Sequence, residues 1–365
     1  MLQHSYEKDD VQVLLHPVEP VFLSVEEKEA AIQSGTHYSE MLSREKKPDD
    51  AYLELFDKQV ADFGQALAGQ LLDLAGMIAA SRKRPVLVSL VRGGTPVGVV
   101  LKRILNHYGY QAPHFAVSIV RDRGLDSVAI DHIMALGHAP EDLVFVDGWT
   151  GKGVIRRELS ASIVALQARY PGIKDELFVL SDIAGVANFA ATRLDSLVPT
   201  CLLNAPISGL ISRSVYRQEN NVPQMHGGVY LADLAEHDRS LSFVNHMMGL
   251  VDQLIRENPL DLRQIGLDAF EKVRAPSIVA EEMHKLLRTI SHLEHAVDRN
   301  KIKPGLGEAS RVLLRRMPEA LIVRDASEPA VAHLLMLAKA RNVRVRVLPE
   351  MKIQAVALIK ELNNE

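Results

Sequence analysis

The sequence predicts an α/β protein with a parallel central sheet under a helical cap, followed by a small C-terminal α/β domain. Three observations predict it. Between residues 85 and 182, short apolar runs alternate with amphipathic stretches, the pattern of parallel strands covered by helices on both faces. From about 186 to 275 this regularity gives way to glycine, asparagine and proline around one amphipathic segment. After Arg299 the alternation returns with a new charge: twelve basic against five acidic residues up to Lys352, about +7 in a chain of net charge −4.

Taken in order, "VQVLLHPVEPVFLS" reads as short extended structure, which Pro17 and Pro20 confine to an edge. Ser24 with Glu27 three residues on makes a capping box, so a short helix is expected to run to Gly35. Leu67, Leu71, Leu74 and Ile78 share one stripe of a long helix, or of two, before residue 84. Then come "VLVSLV", "HFAVSIV", "DLVFVD" and "ELFVLSD" as strands, separated by helices starting near Pro96, Ser127 and Val154. The helix "SLSFVNHMMGLVDQLIREN" belongs to the cap, and "SIVAEEMHKLLRTISHLEHAVDRN" connects to the final unit. The expected divisions are residues 1–80, 81–275, 276–300 and 301–365.

Composition narrows the chemistry. With 365 residues, 47% hydrophobic and 24% charged, the chain has the make-up of a globular protein of about two domains. Its one cysteine, Cys201, leaves no intrachain disulfide, thiolate zinc site or CxxC centre. The polar start and the lack of an evident apolar run of about 18 residues lead to a cytoplasmic expectation.

In open parallel sheets, ligands bind beyond the carboxyl ends of the strands, and three strands here end in unusual loops. In "SLVRGGTPVG", Gly93 and Gly94 admit a ligand to backbone amides, the helix after Thr95 points its N-terminus at the same place, and Arg92 adds a fixed cation. A tight turn without a ligand is the competing reading. In "LVFVDGWTGKG", Asp147 closes a buried strand and Thr150, Gly151, Lys152 and Gly153 open a helix able to surround a phosphate. An acid beside such a nest fits a phosphorylated sugar, with Asp147 on hydroxyls or, indirectly, on Mg²⁺. An acid simply capping a helix is the alternative. In "SIVRDRGLDS", Arg121 and Arg123 are either solvated or part of an arm closing over a polyanion.

The strand, RGG loop, arm and "VFVDGWTGKG" over residues 84–215 resemble the type I phosphoribosyltransferase fold. That resemblance implies pyrophosphate on the glycine loop and the 5-phosphate of PRPP on residues 150–153. The acidic pair usual before that loop is here Asp147 followed by Gly148, with the stretch to Thr150 one residue shorter. Together with "GTHYSEMLS" and "LLNAPISGLISRSV", the motif is similar to a bacterial phosphoribosyltransferase-like family of tellurium-stress gene clusters, also labelled cysteine protease StiP. The stretch from Lys303 to Leu348 resembles the Pelota-type, kink-turn-binding fold, which implies that members bind structured RNA. Its turn is here Gly305, Leu306, Gly307 and Glu308, with Lys301, Lys303 and Arg311 as phosphate contacts. A small dimerisation module is the alternative for this unit.

The resulting expectation is a phosphoribosyltransferase binding PRPP and Mg²⁺, with Asp147, Arg121 and Arg123 at the reaction centre. Asp182 would touch base or ribose, or cap a turn, while Asn204, Ser208, Ser212, Arg213 and Tyr38 would line the substrate cap. The second reading is a non-catalytic RNA-binding regulator responsive to PRPP or a ribonucleotide. A third, minor reading is a cysteine protease with Cys201 as nucleophile and His226 as base, against which stand the apolar neighbours of Cys201.

Overall fold

The computed structural model describes residues 1–19, 22–216, 224–295 and 298–360; Pro20 lies outside them. Its centre is a seven-stranded sheet. Six strands run parallel: β1 (Gln12–Leu14), β2 (Val86–Val91), β3 (His114–Val120), β4 (Leu143–Thr150), β5 (Leu177–Asp182) and β6 (Phe189–Thr192), in the order β1-β3-β2-β4-β5-β6. The short return Gly124–Leu125 pairs antiparallel with the end of β3. The strand β1 lies at the sheet edge, and Pro17 pairs apart from it, opposite Gly228 in a two-stranded ribbon. After β2 the chain steps one way to β3 and then crosses back to β4, so the switch point falls between the ends of β2 and β4. Those ends carry the RGG and Asp147 loops.

Because the strands are apolar on both sides, the sheet has two cores. On one face Val88, Leu90, Phe115, Phe145 and Val179 pack with Ile130 and Ile133 of α4 (Ser127–Ala135) and with Leu159 and Ile163 of α5 (Val154–Gln167). The other face sets Leu87, Val146, Phe178 and Leu180 against α2 (Asp50–Ser81) and α3 (Thr95–His107). The helix α2 is one 32-residue element, with Leu67, Leu71, Leu74 and Ile78 all buried. It is also the one described helix long and apolar enough to cross a membrane, contrary to the reading of the sequence, and 61% of its apolar window is buried inside the fold. The capping box expected for α1 (Val25–Gln33) is present, Ser24 and Glu27 bonding each other's backbone.

The region read as a cap is only partly one. Its helices α6 (Ser240–Glu257) and α7 (Leu262–Lys272) lie against α2, on the sheet's face. The helices α2 and α7 cross glycine on glycine: a Cβ on Gly266 would stand 1.9 Å from the Gly76 carbonyl carbon.

The C-terminal unit is a four-stranded sheet of β7 (Ile302–Pro304), β8 (Pro318–Val323), β9 (Arg344–Val347) and β10 (Ala355–Ile359), in the order β7-β10-β8-β9. The connecting helix α8 (Pro276–Leu293) covers one face, with Met283 and Ile290 on Ile302, Ile322 and Val356. On the other lie α9 (Leu306–Arg315) and α10 (Ala332–Ala340). The apolar side of α9 also meets the body: Leu306, Ala309, Val312 and Leu313 share a core with Cys201, Leu202 and Leu203.

Candidate functional site

Two regions far apart in sequence converge. The ends of β2 and β4 face the start of α9, and between them is a chamber of about 380 Å³. From the body it is lined by Lys28, Arg92, Arg121, Lys152, Arg156 and Arg213; from the C-terminal unit by Lys303, Arg311, Arg315 and Arg316. Ten basic side chains thus line it with two carboxylates, Asp147 and Glu308, though Arg92, Arg121 and Arg156 pair with Glu45, Asp122 and Asp175 beyond the lining.

Several of these charges are tied down. The Arg92 guanidinium pairs with Glu45 and donates to the Ile211 carbonyl at 2.8 Å. Arg213 donates to the carbonyls of Tyr38 and Met41, and burial pushes it down to about 10. Burial also pushes Lys152 down to about 8, with Lys303 beside it acting in the same direction; its ammonium reaches the Arg299 carbonyl at 2.7 Å. Burial and the neighbouring Arg92 hold Arg315 well below the ordinary guanidinium range, and its Nε has no hydrogen-bond partner. Such crowding of partly desolvated cations costs free energy that a bound anion relieves.

Asp147 accepts the Gly148 N–H at 2.8 Å; burial pushes its carboxyl up to about 6, against the pull of Arg311. For Glu308, burial acts upward, yet Arg311, 3.0 Å away, and Lys303 outweigh it and hold the acid below its usual value. Arg311 also covers the Trp149 ring at 4.4 Å.

The sequence-predicted residues divide accordingly. Arg92, Gly93, Asp147, Thr150, Gly151, Lys152, Gly153, Arg121, Arg213, Tyr38, Lys303, Glu308 and Arg311 all line the chamber. Gly94 does not: it packs so closely on β4 that a Cβ would stand 2.4 Å from the Val146 carbonyl oxygen. Thr95 is fully buried in the first turn of α3. Arg123 leans over the Tyr216 ring instead of the chamber, and the expected arm is a tight turn closed by Gly124–Leu125. Asp182 touches no ligand space; it accepts from Thr150, Arg193 and the Val186 and Ala187 amides. Ser208 and Ser212 are buried, Ser212 bonding the Arg213 carbonyl and the Val229 amide, and Asn204 precedes the turn Ala205–Ile207.

The Gly305–Glu308 turn faces inward, against the expectation of an open RNA contact. The Leu306 amide donates to Asp195 of the body at 3.0 Å, and the Gln354 amide does so at 2.9 Å. A Cβ on Gly305 would strike Ile183 at 2.5 Å, and one on Gly307 would strike Trp149 at 2.3 Å. Lys301 lies in the turn Arg299–Lys301, outside the chamber lining.

Sequence reasoning missed Glu45, Asp195 and Arg315. Of these only Arg315 had a signal, since Glu308, Arg311 and Arg315 recur at helical spacing.

The proposed protease dyad is not assembled. His226 bonds the Ser118 hydroxyl through Nδ1 at 2.7 Å. Cys201 is buried, and its thiol is pushed up to about 12 by burial, offset in part by a hydrogen bond with Ser310. Ser310 in turn stands 2.7 Å from Nε2 of the buried His333, so Ser310, on α9, links the cysteine to the histidine.

The Mg²⁺ expected indirectly on Asp147 would have the Arg311 guanidinium as a neighbour. Among the described residues no group of three His, Cys, Asp or Glu gathers, and a Cβ on Gly93 would lie 3.2 Å from Asp147 Oδ1 and 3.3 Å from Arg311 Nη2. A guanidinium already occupies the neighbourhood where the cation would bind.

Comparison with known proteins corrects the activity. Residues 4–248 match the family described as tellurite-like stress resistance cysteine protease StiP, and residues 282–361 match the PELOTA RNA binding domain. The chain is 36% identical over 375 residues to the protein named cysteine protease StiP of Acinetobacter baylyi, covering 98% of this chain and 94% of that one. Among solved structures, an aspartate aminotransferase from Rhodobacter sphaeroides aligns at 15% identity and TM-score 0.27, over 95% of this chain and 88% of its own. A probable N-succinyldiaminopimelate aminotransferase from Thermus thermophilus aligns at 11% and 0.27, over 92% and 94%. Likenesses at that score carry no argument.

The phosphoribosyltransferase expectation, and the PRPP-responsive regulator with it, is overturned by the protease name of the matching family and relative. The geometry supplies a physical reason. The loop assigned to the 5-phosphate is covered by an acid, since a Cβ on Gly151 would stand 2.8 Å from the Glu308 side chain, and the arginine assigned to pyrophosphate is spent on Glu45. With two thirds of its length matched by one family, and a relative matched from end to end, the chain belongs to the StiP family.

Proposed function

We propose that the protein binds RNA, and that the chamber at the seam between its body and its C-terminal domain receives RNA phosphate. One observation carries the reading: basic side chains from both units, among them Lys152, Arg213, Lys303, Arg311 and Arg315, converge on a single cavity with two carboxylates, beside a domain that matches an RNA-binding family. Backbone phosphates supply most of the free energy of such binding and make it salt-dependent. The stress-resistance description of the family gives the setting in which such binding would act.

The test is fluorescence anisotropy of the full chain with a labelled 12-nucleotide RNA at several salt concentrations. Binding should weaken as salt rises, with a shallower log–log slope for Lys303→Gln combined with Arg316→Gln. Absence of binding at low salt, an affinity that does not fall as salt rises, or a slope that the variants leave unchanged refutes the reading.

A thiol-dependent hydrolase, the activity in the relative's name, is a second reading. The link from Cys201 through Ser310 to His333 favours it. With the thiol at about 12 and Ser310 and His333 both on the C-terminal unit, this reading requires substrate to reach Cys201 while α9 stays docked. Incubation of a casein substrate with the full chain and with Cys201→Ala tests it; equal cleavage by both, or none, refutes it.

A further inference from the structure

The RNA-binding reading does not say which part of an RNA reaches the chamber. Resting on that reading, we propose that the chamber takes the phosphorylated end of a single-stranded RNA: a terminal phosphate monoester on one nucleotide unit, not a duplex or the middle of a strand.

Size is the first argument. About 380 Å³ falls in the range of pockets that enclose one small ligand. A double-stranded RNA is recognised across its shallow minor groove by an outer surface, whereas unpaired nucleotides can be splayed into pockets.

Closure is the second. One wall is the end of the sheet, with Arg92, Gly93 and Asp147; the other is α9. The two meet where Trp149 lies on Gly307 and under Arg311, and the Asp195 bonds to Leu306 and Gln354 fasten the domains behind that contact. A strand end can enter the space beside this contact without parting it.

Charge is the third. Glu308 and Asp147 share Arg311 as their neighbouring cation, Glu45 is matched by Arg92, and Arg121 and Arg156 pair with Asp122 and Asp175. Arg315 is left over: the carboxylate acting on it is Glu45, already paired, and its Nε is unbonded. An internal phosphodiester brings one negative charge to this excess. A terminal monoester brings about −1.5 to −2 and three acceptor oxygens, which suits a cluster in which Arg92, Arg213 and Arg311 all depress Arg315. Free mononucleotides carry the same monoester, so the test must separate the two sources.

The experiment compares 12-nucleotide RNAs of one sequence by anisotropy: 5′-phosphate against 5′-hydroxyl, 3′-phosphate against 3′-hydroxyl, and a circular form, each labelled away from the end in question. One phosphorylated end should bind at least tenfold more tightly than its hydroxyl counterpart and the circle. Arg315→Gln should abolish that difference while keeping the thermal midpoint within a few degrees; if it does not fold, Lys303→Gln serves instead. Equal binding of all the RNAs overturns this inference and leaves the RNA-binding reading standing, whereas no binding of any of them removes both. Competition by AMP as potent as by the phosphorylated 12-mer assigns the chamber to a free nucleotide and overturns the RNA end.

Discussion

Replacing Gly307 by alanine isolates the contact that holds α9 against the body. The new Cβ would stand 2.3 Å from Trp149 Cε2 and 2.4 Å from its Nε1, so α9 and the indole must separate by more than 1 Å to reach ordinary contact. Overpacking of this kind costs about 1–3 kcal/mol, against up to about 1 kcal/mol gained from alanine's better helix propensity. The expected net loss is about 1–2 kcal/mol, concentrated at the docking of the C-terminal domain. Since α9 also carries Ser310, the cover of Cys201, undocking exposes the thiol. A loss of about 1.4 kcal/mol raises the open population tenfold, so labelling of the thiol by a chromogenic disulfide should quicken by about that factor, with a thermal midpoint lower by a few degrees. Gly249→Ala on α6, where nothing lies within 4 Å, is the control and should leave labelling unchanged. Unaltered labelling and stability in Gly307→Ala would refute the idea that the seam is held by this contact.

Three further perturbations probe other parts. Gly266→Ala forces α7 off α2, because the added carbon would lie 1.9 Å from the Gly76 carbonyl carbon; a loss of about 3 kcal/mol or more is expected in calorimetry. Glu45→Gln leaves the buried Arg92 without its carboxylate, and breaking a buried pair costs about 3–5 kcal/mol, so urea unfolding should show a clearly lower midpoint. The third concerns pH. Asp147 and Asp195 titrate at about 6 in the fold and at about 3.9 when unfolded. Between those values the folded chain holds protons on these two acids that the unfolded chain has lost, so the share of stability they contribute falls as pH rises from about 4 to about 6 and then levels off. The buried histidines His114 and His333, lowered to about 3, act the other way over this window, because the unfolded chain gains their protons below about 6.5; the share of Asp195 is therefore read by difference, and in scanning fluorimetry the midpoint of Asp195→Asn should rise relative to that of the unsubstituted protein between pH 5.5 and pH 7.5.

The sheet was legible because each strand is an apolar run whose partners are fixed by burial on both faces; Val88, Phe145 and Val179 needed no distant information. The same held for α2, where the leucine stripe alone gives the buried face. Three features were not legible, for a common reason. The helix α7 hides in a polar stretch because it buries little beyond Leu262, Gly266 and Ala269. Glu45 sits in a run of charges, "SREKKPDD", and only the fold shows that one of them meets Arg92. The turn at Gly305 looks like an exposed ligand contact because its sequence cannot say which face of a second domain it meets. Both expected sites, the phosphate loops and the RNA turn, were assigned to separate surfaces, and each proved to be one wall of the other's chamber.

That arrangement couples the chamber to the thiol. The cations on α9 and those at the strand ends repel one another when the domains dock, Arg92 adding to burial in lowering Arg315, and the contacts of Asp195, Glu308 and Trp149 must outweigh that repulsion. An anionic ligand bound to both walls neutralises it and favours the docked form, in which Ser310 covers Cys201. By linkage, whatever factor RNA contributes to docking, docking contributes to RNA affinity. Saturating RNA should therefore slow the labelling of Cys201, and protein labelled at Cys201 should bind RNA more weakly by the same factor. If RNA binds yet leaves the labelling rate unchanged, it sits on an outer face of the C-terminal domain, and the chamber is not its site.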